Sequence, residues 1–237
     1  MKLWAYGDSH TAGAELGYSK ATLNKFRAIE KRYKHSKNMW NEMLIEKNEY
    51  SVVLPPNIAC APEYSWAGQL ANLLQADEYI CRERPGWSND GAVQFMLEDK
   101  DKWQDDDIII WGVATPWRYT PASDDLWKSN HQPAQFPKKV ARVFIEYGPA
   151  NDTSKLWTQG LMHLAKTLHP NMHMVQVSLD NLTVNGFNSV ESCCITDVSL
   201  GHMMISKLDE YIYLPDTHYD RNCHKDYAEM IYKLLRM

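Results

Sequence analysis

Ser9, Asp216 and His218 are the residues of this chain whose types and spacing suit nucleophilic chemistry. Ser9 lies in Gly7-Asp8-Ser9-His10-Thr11, directly after the apolar run Leu3–Tyr6. A hydroxyl at the end of a parallel strand sits at the carboxyl edge of the sheet, where open α/β folds put their sites. Gly-Asp-Ser also occurs in ordinary turns, and Ser9 alone would read as a helix cap, so its partners decide. A hydroxyl is a poor nucleophile until a base takes its proton. Asp216 and His218 stand two residues apart in the polar stretch 214–224, ahead of a final helix with Tyr227, Ile231, Leu234 and Leu235 at helical spacing. The carboxylate can then orient the imidazole and stabilise it when protonated, in the chain order Ser, Asp, His.

The elements that must carry these groups alternate between two periods. A strand is expected at residues 2–7, and a helix at Tyr64–Ala76 from the stripe Trp66, Leu70, Leu73 and Leu74. A short strand at 78–82 leads to the Gly86 loop, and Ser88 or Asn89 caps a helix through Met96. The β-branched run Ile108–Trp111 suits a strand buried on both faces of a parallel sheet. Trp157, Leu161, Leu164, Ala165 and Leu168 mark another helix, Met172–Leu179 a strand, and Tyr211–Leu214 the last strand. This alternation predicts an α/β fold, a three-layer α/β/α sandwich around a flavodoxin-like parallel sheet of about five strands. The segments after strands one, two, three and five leave on one edge, so Ser9, Gly86, Thr115, Asp216 and His218 become neighbours. One domain over residues 1–237 is expected. Insertions at about 16–62, 116–150 and 181–207 would wall the site.

Gly7-Asp8-Ser9-x-Thr11, taken with Asp216, His218, His224 and Ala228, resembles the SGNH/GDSL hydrolases. Their late motif commonly reads Asp-x-x-His-Pro-Asn-x-x-Gly-His; here the first spacing is one residue shorter, with Tyr219, Asp220 and Cys223 at the Pro, Asn and Gly positions. The likeness puts His218 on the catalytic histidine and Asp216 on its acid. Arg84–Gly91 is similar to the second block, whose glycine, here Gly86, offers a backbone N–H to the oxyanion, with Asn89 as a side-chain donor. The third block, Ile110–Arg118, lacks the family's Asn and resembles a variant frequent in phage-encoded members. In that variant the Ser9 and Gly86 N–H groups, Asn89, and Thr115 or Arg118 would share the oxyanion. Arg118 reads equally as a substrate clamp or a structural ion pair. The resemblance implies a serine esterase that works through an acyl-enzyme on acyl or acetyl esters, with no metal or organic cofactor. Trp87, Trp117 and Trp127 would suit a glycan ester such as an O-acetylated sugar, and would equally suit a core. The missing Asn motivates the rival reading, a non-catalytic binding or virion structural module with a degenerate site.

Net charge is −5 and the basic residues are spread, so nucleic acid is not a favoured partner. No apolar run approaches the ~20 residues of a membrane span. The five cysteines are odd in number and include the vicinal pair Cys193-Cys194, which fits a reducing compartment better than a disulfide framework. Together with a start that lacks signal-peptide character, this predicts a cytoplasmic or virion-associated protein. Nothing in the sequence sets the oligomeric state. Asp8 is expected to bind nearby backbone N–H groups. His10, on an extended chain, would point away from Ser9. His224 would pack or cap at the start of the final helix, and His169 and His173 would lie on the surface. Cys193-Cys194 reads as a buried pair or a redox pair, and the acidic run Asp99–Asp107 as a solvated loop.

Overall fold

The computed structural model describes residues 1–14, 16–22, 24, 28, 60–83, 88–114, 116, 152–177, 194–196, 198–207, 210, 211 and 218–237. Its sheet has strands β1 (Lys2–Gly7), β2 (Glu78–Glu83), β3 (Ile108–Val113) and β4 (Met172–Gln176), all parallel, in the order β2-β1-β3-β4. The helices are α1 (Trp66–Leu74), α2 (Asn89–Asp99), α3 (Asp152–Lys166), α4 (Leu200–Ser206) and α5 (Arg221–Leu235). Side chains alternate across each strand, so the sheet has two apolar faces. Leu3, Ala5, Ile110 and Val175 face Trp66 and Leu70 of α1, Leu200 and Met204 of α4, and Tyr227 and Ile231 of α5. Trp4, Tyr6, Ile109, Trp111 and Met174 face Ala92, Val93 and Met96 of α2 and Leu161, Met162 and Ala165 of α3. This is the expected three-layer α/β/α arrangement.

The structure differs from the sequence expectations in several places. Beside β4 the described neighbour is Cys194, which forms a parallel bridge to Met174 while Ile195 N–H donates to the Met174 carbonyl at 2.9 Å. Cys194 and Ile195 belong to the expected third insertion, which also contains α4. Of the expected last strand, residues 212–214 lie outside the described residues. On α3, Trp157 and Leu164 are exposed, and the buried stripe is Thr158, Leu161, Met162 and Ala165, with Gln159 buried beside it. Those four recur at i, i+3, i+4 and i+7, a stripe that Trp157 misses by one residue, or about 100°. His169 is buried, with Nδ1 accepting from Asn171 N–H at 3.2 Å, which leaves Nε2–H to donate to the Gln104 carbonyl at 3.1 Å. His173 is half-buried, and burial, reinforced by Lys166, pushes its pKa down to about 4. Neither histidine is a surface group.

The acidic run is solvated only in its middle. Asp99 and Asp107 are buried at its two ends. Asp99 receives Arg82 Nε–H at 2.7 Å, Lys102 Nζ–H at 2.6 Å and Tyr6 O–H at 3.3 Å. Asp107 receives Lys2 N–H at 2.7 Å, Trp4 Nε1–H at 3.0 Å and Gln104 N–H at 3.1 Å, stapling the amino ends of β1 and β3. Burial works to raise the Asp107 pKa, yet these donors hold it below the ordinary carboxylate value. Asp107→Ala is expected to lower stability by about 3 kcal/mol, because it leaves several buried donors unpaired. Urea unfolding would read this as a lower midpoint at unchanged slope. A carboxylate whose folded pKa is depressed contributes stability above its unfolded pKa and loses it as pH falls through the folded value. Asp107→Asn should therefore flatten the stability decline that the parent shows below about pH 4.

Candidate functional site

The order β2-β1-β3-β4 reverses direction of winding between β1 and β3, and the crevice beyond the carboxyl ends of those strands is where such sheets bind ligands. Ser9 lies in the turn leaving β1 and is buried. The turn is tightly bonded. Thr11 N–H and Ala12 N–H donate to the Asp8 carbonyl at 3.0 and 2.9 Å, and Ala14 N–H to that of Ser9 at 2.9 Å. Asp8 Oδ1 accepts His10 N–H at 3.0 Å, the local backbone role expected of it.

Two glycines let this turn sit against the strands. A Cβ on Gly7 would stand 2.3 Å from Thr11 Oγ1, and one on Gly112 of β3 would stand 2.7 Å from the same oxygen. Thr11 is thus wedged between β1 and β3, which gives the Gly and Thr of Gly-Asp-Ser-x-Thr a packing role. Gly13, at φ +67°, turns the chain so that its carbonyl accepts Ala61 N–H at 3.0 Å. A Cβ there would meet the Ala61 carbonyl oxygen at 2.3 Å. The sequence carried this signal only as one glycine in a small-residue stretch.

The C-terminal segment is brought to the same turn. Asp220 caps α5, its carboxylate accepting Asn222 and Cys223 N–H at 3.0 Å each. That cap fixes the start of the helix and, with it, His218 and Tyr219 just before. The Arg221 guanidinium donates to the carbonyls of Leu16 and Tyr18 and lies 3.8 Å over the Tyr64 ring. It ties the first turn of α5 to the chain that follows the Ser9 turn.

Around His10 several rings converge. His10 stacks on Tyr219 with centroids 4.7 Å apart and planes at 18°, and meets His218 edge-on at 5.1 Å and 66°. The His224 ring is 6.3 Å away. The His10 ring thus reaches the C-terminal loop. The strand ends at Gly7, and in the turn that follows the two-residue period no longer applies. His224 is fully buried, with Nδ1 accepting Trp66 N–H at 3.0 Å at the start of α1, so its proton is on Nε2. Burial, aided by nearby His10 and His218, keeps its pKa well below the ordinary value. It caps α1 across the fold as well as packing in α5.

Asn89, the expected side-chain oxyanion donor, is buried at the start of α2 and clamps the end of β3. Its Oδ1 accepts Ala114 N–H at 2.9 Å, and its Nδ2 donates to the Ala114 carbonyl at 3.0 Å, with Thr158 Oγ1 at 3.5 Å. Donation to a substrate oxyanion would require exchange of one of these bonds. Gly86, Thr115, Arg118 and Asp216 lie outside the described residues, as do Trp87, Trp117, Trp127 and Cys193. Among the described residues no group of three His, Cys, Asp or Glu could hold a metal ion, and no helix is long and apolar enough to cross a membrane.

No protein-family model matches the chain, and no curated protein matches its sequence. Its structure is similar to that of an acetyl xylan esterase from the rumen bacterium Butyrivibrio proteoclasticus, at 14% sequence identity and a TM-score of 0.53. The match covers 99% of this chain and 63% of the esterase, so the chain spans less than two thirds of that protein's length. At this identity the likeness is one of fold, an α/β/α sandwich with a parallel sheet.

Proposed function

We propose that the chain is a serine hydrolase of carboxylic esters, with Ser9 as nucleophile, His218 as general base and Asp216 as the carboxylate that orients the imidazole. The observation that carries this reading is the 5.1 Å contact of the His10 and His218 rings, between the residue after Ser9 and the loop more than two hundred positions later. The esterase with the similar fold supports the reaction class. In the proposed sequence Ser9 Oγ attacks the ester carbonyl carbon while His218 takes the hydroxyl proton. The alkoxide leaves as the alcohol with that proton, and the acyl group stays on Ser9. Water then gives a proton to His218 and attacks the acyl carbon; the bond from that carbon to Ser9 Oγ breaks, His218 returns the proton to Ser9 Oγ, and the acid leaves. The Ser9 and Gly86 N–H groups hold the oxyanion, with Asn89 and Thr115 or Arg118 completing the set. The scheme calls for no metal or organic cofactor. An acetylated glycan is the proposed substrate class, with the aromatic side chains of Trp87, Trp117 and Trp127 as platforms for the sugar.

p-Nitrophenyl esters of graded acyl length, assayed beside acetylated polysaccharide with Ser9→Ala as control, test the reading. Acetyl ester cleavage that disappears in Ser9→Ala supports it. A chain that binds acetylated glycan and cleaves no ester is the non-catalytic module.

Asn89→Ala is expected to lower kcat by about 10²-fold with little change in KM, as for loss of a transition-state contact. Its clamp on Ala114 adds an expected stability loss of about 1–3 kcal/mol. A kcat loss at unchanged unfolding midpoint would assign direct donation. A lowered midpoint at unchanged kcat would remove Asn89 from the reaction. Arg118→Ala should mainly raise KM if it clamps substrate.

A further inference from the structure

We infer that His10 is a positioning residue of this site: its ring, held between Tyr219 and His218, sets the orientation of the His218 imidazole relative to the turn that carries Ser9. The inference rests on the hydrolase reading above and gives an otherwise unassigned side chain a role in it.

His10 is fixed from both ends. Its N–H is held by Asp8 Oδ1 at 3.0 Å, in a turn whose next residue but one, Ala12, also donates to Asp8 at 2.9 Å. Its ring lies nearly parallel to buried Tyr219 at 4.7 Å. The edge contact with His218 at 5.1 Å and 66° sets the positive rim of one ring against the negative face of the other, an arrangement with a preferred angle. Asp220 caps α5 immediately after Tyr219 and His218, which fixes the backbone that carries their rings into the helix. His224, its ring 6.3 Å from that of His10, is itself anchored to Trp66 N–H. His10 follows Ser9 directly in the chain, so the two ends of a Ser9–His218 proton transfer are joined through one side chain. Proton transfer between such groups needs them within hydrogen-bond reach, and small misplacements are costly.

The stacking requires a flat ring rather than a ring nitrogen, so phenylalanine should substitute where leucine cannot. Kinetics with p-nitrophenyl acetate on the full chain, together with NMR of the His218 ring protons, read this directly. His10→Leu is expected to lower kcat by about 10–100-fold with KM within about twofold, and His10→Phe to recover kcat to within about threefold of the parent. The His218 ring signals should shift strongly in His10→Leu and weakly in His10→Phe. Unchanged kcat in His10→Leu, equal losses in both variants, or unmoved His218 signals would overturn the inference. If His10→Leu does not fold, His10→Phe decides, since a folded variant as slow as Ser9→Ala overturns it and one within about threefold supports it. A parent that cleaves no ester defeats the hydrolase reading and, with it, the kinetic role. The NMR arm then still reports whether His10 holds the His218 ring.

Discussion

Ser9→Ala is expected to remove ester hydrolysis by at least about 10³-fold while the protein stays folded. The size of the loss follows from the chemistry: without the hydroxyl no acyl-enzyme forms, and only binding and the oxyanion donors remain to assist attack by water. Folding should survive because the turn is held by backbone bonds from Thr11, Ala12 and Ala14 and by the Thr11 wedge, none of which uses the Ser9 side chain. A purified Ser9→Ala protein with full turnover would assign the chemistry to another group.

The second large effect concerns the base. His218→Ala should cost about as much as Ser9→Ala, and the double variant little more than either, because the two groups act as a unit. Asp216→Asn should leave a larger residue of activity, since the carboxylate orients and stabilises the imidazole and does not itself take the proton. Strictly additive losses in the double variant would mean that Ser9 and His218 act in separate steps.

Much of the scaffold was legible because burial on both sides of a sheet leaves a strong trace. The run Ile108–Trp111 can be little else than a central parallel strand, and the stripe from Trp66 to Leu70 meets α5 as its period requires. The trace fails where neighbours, not hydropathy, decide burial. Thr158 and Gln159 are inside α3's packed face while Trp157 is outside, and Thr158 lies within reach of the Asn89 amide. Asp99 and Asp107 look like solvent-facing charge until Arg82, Lys102, Trp4 and the Lys2 N–H are placed around them in space. The Cys194 bridge to β4 left no trace for a related reason: a single bridge is too short to show a period of two.

The candidate site was legible as a set of motifs and less so as a geometry. Ser9 and His218 were singled out by residue type and chain order. The ring cluster was not, because sequence-local rules carry no information about a place where two segments far apart in the chain meet. Tyr219 and Asp220 gained their roles, stacking on His10 and capping α5, only in three dimensions.

The central claim is that Ser9 is an activated nucleophile served by His218. A fluorophosphonate probe forms a covalent bond with a serine oxygen only where a base removes its proton and an oxyanion site receives the phosphoryl oxygen. Incubation of the native chain with such a probe, followed by mass spectrometry of the peptide containing residues 1–20, measures this directly. The account predicts labelling at Ser9 approaching one probe per chain and strongly slowed labelling in His218→Ala. A native, folded chain that remains unlabelled at Ser9, or one labelled equally fast without His218, would contradict it.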